Sequence, residues 1–495
     1  MLLEKIIRRA EETQISARLM VFFFLGCVFL RGLLEQIFFE KGSHCLRSLH
    51  HLFFFVFVFL SGIVVIHLTG KIAVERVSRI ACLGLPLIIA SPLIDHLVFL
   101  RRFPYDYILP RELGRGYLTF FQATPKAGPG LAIEIGGILL LAALYVLIKT
   151  RSCPRAALTA VSLYVFIGIS VTPRIFMPFL LPSSDPGFQR AHHMIYFGFY
   201  FCLSMILGLV FMYRFDRNLP LAVGREALSF RTAHFLLLVG LGLYWRGELV
   251  PRNLPDALFV LFRFFLMAFL WLSTVLLNHV HDVPIDRVSN PQRPLAGAQV
   301  QASSFLTLSF IFGLLALLFA FSLSAAAALL TTAALFSSWA YSAPPLRLRR
   351  RLFSTVFIGW GSVIAFFIGY FGRTRMRELS IDQRTLSLAL VIFAALSLGP
   401  LVKDLRDYKG DLQAGVKTFF TVYGISRGTK IVSLLLGISL LTPILLFHEL
   451  RDIIVFGCLA ALAAWFFCNR GRAEFSRLGY GAAILYIFLR VARII

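Results

Sequence analysis

From about residue 18 to the end of the chain, apolar windows of roughly 18 to 25 residues follow one another, each long enough to cross ~30 Å of hydrocarbon as a helix. About fifteen such windows can be drawn, and no soluble core needs them. The rest of the composition agrees: 58% of residues are hydrophobic and 15% charged, with a mean hydropathy of +0.80. The chain therefore reads as all-α, a polytopic membrane protein. The polar stretch YRFDRNLPLAVGREALSFR at 213–231 divides it. About six spans precede it, near 18–39, 51–69, 78–100, 131–149, 156–181 and 191–212, in a membrane domain placed at 1–220. About nine follow in a domain at 221–495, near 232–249, 257–279, 304–322, 324–341, 352–371, 385–402, 428–447, 452–468 and 475–494.

The formal net charge is +24, and the Lys and Arg lie mainly between the windows. The surplus is therefore a topology signal and a contact for anionic head groups, not a nucleic-acid surface. The 51 Phe fall inside the spans, where lipid contact and packing account for them. With a cytoplasmic N-terminus, the inside segments include KTRSCPR (149–155), DRVSNPQR (286–293), RLRRR (347–351) and KDLRDYK (403–409), so the positive-inside rule is met at most loops. The protein is expected in the inner membrane if its source is prokaryotic. The seven Cys show no ligand-like spacing and imply no disulfide framework. The first residues, MLLEKIIRRAEETQISARL, read as an interfacial amphipathic helix leading into an uncleaved first span.

Two acidic clusters close long apolar runs. In NHVHDVPID (278–286), Asn278, Asp282 and Asp286 are spaced four apart, so on a helix they share one face. Pro284 predicts a kink or an end between the two Asp residues, with Asp286 on a turn reaching back. KDLRDYKGD (403–411) places Asp404, Asp407 and Asp411 at i, i+3 and i+7, again on one face and on the same predicted side. Charges near hydrocarbon cost up to about 2.5–3.5 kcal/mol each, so five Asp need compensation. Arg287, Arg293, Lys403, Arg406, Lys409 and Lys417 supply part of it. Carboxylates with surplus cations suit a polyanion bridged by divalent ions, since Mg²⁺ takes one or two carboxylates and fills its other positions with water and phosphate oxygen. At a membrane boundary, that chemistry fits a diphosphate head on a hydrocarbon tail, as in a polyprenyl diphosphate.

These residues resemble the UbiA family of intramembrane prenyltransferases over roughly 222–495. The first family signature, N-x-x-x-D-x-x-x-D, stands as Asn278, Asp282 and Asp286, followed by NPQRPLAG (290–297). The second, D-x-x-x-D, stands as Asp407 and Asp411 with Asp404 as an extra acid, and YSAPPLRLRR (341–350) resembles the segment between them. The resemblance implies a nine-helix bundle and transfer of a prenyl chain from its diphosphate to an acceptor, through Mg²⁺-assisted ionisation to an allylic carbocation. By resemblance, Asn278 and Asp282 hold one Mg²⁺ and Asp407 and Asp411 a second, with Asp286 and Asp404 assisting. Arg293, Arg347 and Lys417 contact the diphosphate, with Lys403 as a further cation, and Tyr341 sits near the reacting carbon. The Phe-rich stretch FRFFLMAFLW (262–271) is a candidate lining for a dry cavity. Where many members carry Asp after the first Asn, this chain has His279; His279 and His281 are read as polar interfacial residues. Family acceptors include quinone-ring precursors, haem, chlorophyll-type rings, glycerol phosphates and phosphoribose, and nothing in this chain selects one or sets the oligomeric state.

The N-terminal half gives less. Its polar residues inside spans are Arg31 with Glu35, Asp95 with His96, Glu134, Arg174, and His192 with His193. The basic, aromatic loop at 101–130 is expected to cover a head-group or acceptor site. The alternative reading of the whole is a transporter or lipid-handling protein fused to a UbiA-like domain. The acids gathered at one boundary and the unlike halves argue against a transporter. Hydropathy excludes a soluble isoprenyl diphosphate synthase.

Overall fold

The computed structural model describes residues 2–13, 15–39, 45–100, 112–120, 128–176, 188–372, 380–470 and 473–491, which form helices, short 3₁₀ turns and connections without a strand among them. The chain divides into two compact units, Met1–Phe215 and Asp216–Ile495. Among the described residues, eleven helices or helix runs are long and apolar enough to cross a membrane, or twelve if a bent pair counts as one.

The N-terminal unit consists of α1 (Leu2–Glu12), α2 (Ala17–Phe39), α3 (Cys45–Gly70), α4 (Val74–Gly84), α5 (Leu87–Leu97), α6 (Leu113–Leu118), α7 (Pro129–Thr150), α8 (Cys153–Ser170) and α9 (Phe188–Phe215). The span expected at 78–100 is the pair α4 and α5, which meet at Leu85 and Pro86. Its intramembrane charges are paired. Arg31 donates to Glu35 at 2.9 Å, to Glu134 at 2.7 Å and to the Ile88 carbonyl at 2.5 Å, and Asp95 accepts from the Gly130 amide at 2.7 Å. Such pairing is what a low-dielectric interior requires of buried charge. His193 meets His50, with their Nδ1 atoms 3.2 Å apart. Most of the 101–130 loop and the side chains of Arg174 and His192 lie outside the described residues.

The C-terminal unit consists of α10 (Asn218–Ala227), α11 (Phe230–Trp245), α12 (Leu254–Ser289), α13 (Ala302–Leu323), α14 (Ala325–Ser342), α15 (Val356–Phe371), α16 (Gln383–Leu398), α17 (Asp404–Gln413), α18 (Phe419–Leu441), α19 (Leu450–Arg470) and α20 (Ala473–Val491). Side chains set the helix starts: Ser229, Asn253, Ser324, Asp382 and Thr418 each accept a backbone N–H from the first turn of α11, α12, α14, α16 and α18. A helix stands at each of the nine expected positions, but α15 and the apolar part of α20 are shorter than a full span. The polar residues Thr331, Thr332, Ser337 and Ser338 dilute α14. Helices α11 and α15 approach at Gly242 and Gly369, where a Cβ on either would collide with backbone of the other; small residues let membrane helices pack this closely.

Helix α12 is 36 residues, about 54 Å at 1.5 Å per residue, so it overruns the hydrocarbon and carries its last turns into the boundary region. It does not stop at Pro284: helix continues to Ser289 and puts Asp286 on the helix, not on a turn. Proline costs one backbone donor, and membrane helices tolerate that where neighbours supply other contacts. Here Arg347 donates to the His281 carbonyl at 2.9 Å, and Ile285 and Asp286 are buried. In the stretch 262–271 the Phe262, Phe265 and Phe269 rings pack against Phe312 and Phe319 of α13.

Candidate active site

The end of α12 and the short helix α17 carry the acids. Asp282, Asp286, Asp404 and Asp411 are between 2% and 6% exposed, and Asp407 is half-buried. Two helices bearing carboxylates repel unless something between them donates. Asn290 does so: its Nδ2 donates to Asp286 at 3.2 Å and to Asp407 at 2.9 Å. The neighbouring Ser289 hydroxyl donates to the Asp407 carbonyl at 3.2 Å and accepts from the Gly410 amide at 3.0 Å. This close approach requires Gly410, since a Cβ there would lie 2.5 Å from Ser289 Oγ and 2.6 Å from the Ile285 carbonyl.

Cations complete the arrangement. Arg293, on the turn after α12, donates to both oxygens of Asp286 at 2.8 and 2.7 Å. Arg349 reaches inward from the loop after α14, forming an ion pair with Asp282 and approaching Asp411 to 3.9 Å. Burial lowers its pKa, against the pull of Asp411, Asp407 and Asp404. Asn278 donates to Asp282 and accepts from the Ser342 hydroxyl at 3.3 Å. Asp411 Oδ1 is buried without a hydrogen-bond partner. Among the described residues no three His, Cys, Asp or Glu side chains converge as a complete metal cage.

The other expected residues sit further out. Tyr341, next to Ser342, packs on Phe357 with ring centroids 5.8 Å apart. Lys403 acts on Asp404 and Asp411 through its charge. Arg347 and Lys417 line a separate open pocket of about 450 Å³ with Arg350 and Arg351. Three further residues join the site without a spacing signal of their own in the sequence. Arg349 was one of several arginines in RLRRR, Asn290 lay outside the four-residue spacing, and Glu226 belonged to the divider. Glu226 comes from α10 to within 3.6 Å of buried His279 Nε2, in the field of Arg293 and Asp286. No local spacing marks such contacts; the signal for Asn290 was its place in NPQRP, directly after the acids.

Comparison with known proteins bears on this arrangement. Residues 233–477 match the model of the UbiA prenyltransferase family. Digeranylgeranylglyceryl phosphate synthase of Sulfurisphaera tokodaii is 30% identical over 170 residues, covering 34% of this chain and 58% of that protein. The bacteriochlorophyll synthase 33 kDa chain of Rhodobacter capsulatus is 24% identical over 167 residues, covering 32% and 53%. The chain thus spans little more than half the length of these curated relatives. A UbiA homolog from Archaeoglobus fulgidus, solved bound to DMAPP and Mg²⁺, aligns with a TM-score of 0.40 and 17% identity over 55% of this chain and 100% of that one. With two acidic motifs on adjoining helices and a family match spanning both, the C-terminal half of this chain belongs to the UbiA prenyltransferase family.

Proposed function

We propose that the C-terminal unit transfers a prenyl chain from a polyprenyl diphosphate to a membrane-soluble acceptor, releasing diphosphate. The observation that carries this reading is the joining of the two acidic helices, with Asp286 and Asp407 sharing the Asn290 amide and Asp282 and Asp411 flanking Arg349. Buried carboxylates interleaved with arginines at a membrane boundary suit a polyanion that arrives with its own cations.

The donors fit Mg²⁺. All six candidate ligands are oxygen donors, Asp411 Oδ1 is buried without a hydrogen bond, 3.9 Å from Arg349, and an ion that fills its shell with water and phosphate oxygen needs no three-acid cage. Asn278 with Asp282 would hold one ion and Asp407 with Asp411 a second, with Asp286 and Asp404 assisting. Bound there, the ions neutralise charge on the leaving diphosphate.

The chain's own residues do the rest. Arg293 and Arg349, already fixed by carboxylates, offer preorganised donors to the outer diphosphate oxygens. The allylic C–O bond breaks with its electron pair leaving on diphosphate, the acceptor's nucleophilic atom bonds to the allylic carbon, and the proton that atom carried passes to the released diphosphate. The Tyr341 ring is the aromatic face offered to the developing positive charge. Burial of the acids excludes water, which would capture the cation. Arg347 and Lys417, in the outer basic pocket, raise the local concentration of anions at the entrance, and Lys403 adds to that field. By the positive-inside rule, the basic loops support a cytoplasmic position for this face.

The test is turnover by the purified full chain with Mg²⁺, a labelled prenyl diphosphate and a membrane lipid extract. Diphosphate release coupled to a labelled product is expected, and Asp282→Ala and Asp407→Ala should each abolish it. Full turnover in both variants would falsify the assignment. Mass spectrometry of the product identifies the acceptor.

A further inference from the structure

The N-terminal unit holds an apolar chamber of about 370 Å³, partly open on one side, among α1, α2, α3, α4, α5, α7 and α8. Among its described lining residues Tyr145 has the one polar side chain, and the Tyr145 hydroxyl already donates to Glu11 at 2.8 Å. Protein interiors are close-packed with few voids larger than a water molecule, so an apolar recess of this size that opens at its edge calls for an occupant. Water is a poor occupant, because each molecule needs about two to four polar partners. Hydrocarbon is at hand: Leu83 and Leu141, at the edge of the chamber on α4 and α7, are exposed on the apolar exterior of the unit.

Helix α1 covers part of the chamber. Ile7 and Ala10 line it with one edge of the half-exposed Ile6, yet the helix is held by polar contacts at its ends. Arg79 donates to the Glu11 carbonyl, Lys149 pairs with the Glu11 carboxylate at 2.8 Å, and Arg151 pairs with Glu4. An amphipathic helix latched by ion pairs over an apolar space that its own side chains do not fill is built as a lid. We propose that this chamber holds the hydrocarbon tail of one membrane lipid beneath α1. At about 30 Å³ per water-sized group, the space takes roughly a dozen chain carbons.

Photolabelling of the full chain in lipid nanodiscs tests this. One arm uses a phospholipid with a diazirine on its acyl chain, the other a polyprenyl phosphate with a diazirine on its isoprenoid chain, and adducts are mapped by peptide mass spectrometry. In at least one arm, labelling at Phe59, Ile63 and Ala142 is expected about tenfold above that at the lipid-exposed Leu158 and Val161 of α8; the stronger arm identifies the chain. Ala142→Phe should remove chamber labelling and spare α8. Tyr145→Phe, which loosens the latch without changing the chamber's shape, should speed displacement of a bound probe by unlabelled lipid several-fold. Asp282→Ala should label like the unaltered protein, which separates this outcome from loss of prenyl transfer. Chamber labelling no stronger than on α8 in both arms, or probe exchange unaffected by Tyr145→Phe, overturns the proposal.

Discussion

At the scale of single residues, Asn290 joins the two acidic motifs by donating to an Asp of each. It is 2% exposed and has one amide nitrogen for two carboxylates, Asp286 and Asp407, that would otherwise repel across the helix interface. Groups that orient metal-binding carboxylates typically control affinity by about 10–100-fold when removed. Asn290→Ala should therefore raise the Mg²⁺ concentration for half-maximal prenyl transfer by about that factor, with turnover largely recovered at saturating Mg²⁺. A Mg²⁺ titration matching the unaltered protein would remove Asn290 from this role. The shared face of Asn278 and Asp282 was legible because one helix brings residues four apart together, while Pro284 hid that Asp286 continues it. Asn290, Arg349 and Glu226 were not, because each reaches the acids through a turn, a loop or a separate helix, and no sequence period encodes that.

At the scale of elements, α12 and α17 meet through backbone as much as through side chains. The Gly410 amide donates to Ser289 Oγ, and Ile285 presents its carbonyl to the same point. Gly410→Ala forces the two helices apart at the place where Asp407 and Asp411 are set, an overpacking that typically costs about 1–3 kcal/mol. The expected result is a lower thermal unfolding midpoint together with loss of prenyl transfer. A variant that melts and turns over like the parent would show that the helices need not be so close. The helical character of α17 could be read from the i, i+3, i+7 spacing of its acids. The course of α12 could not, since Pro284 locally predicts a break, whereas the helix continues past it with Ile285 and Asp286 buried.

At the scale of the molecule, hydropathy alone gave the membrane class, because a backbone crossing hydrocarbon must be helical over a bilayer's width and the sequence has to pay that in apolar residues. It could not separate full spans from α15 and α20, whose short apolar stretches need neighbours to complete their burial. Sidedness rests on the distribution of Lys and Arg, a signal that short basic loops carry and that acidic residues hardly change. Lys409 and Arg287 are exposed beside the site, so both report the face on which the acids lie. In a background without the seven native Cys, Lys409→Cys or Arg287→Cys should react with a membrane-impermeant maleimide only when the cytoplasmic face is open to the reagent. Both positions lie on the helices that carry the acids, so they must give the same answer. Reaction from the opposite face at both would put the diphosphate on the other side of the membrane, and opposite answers at the two would mean that α12 and α17 do not converge.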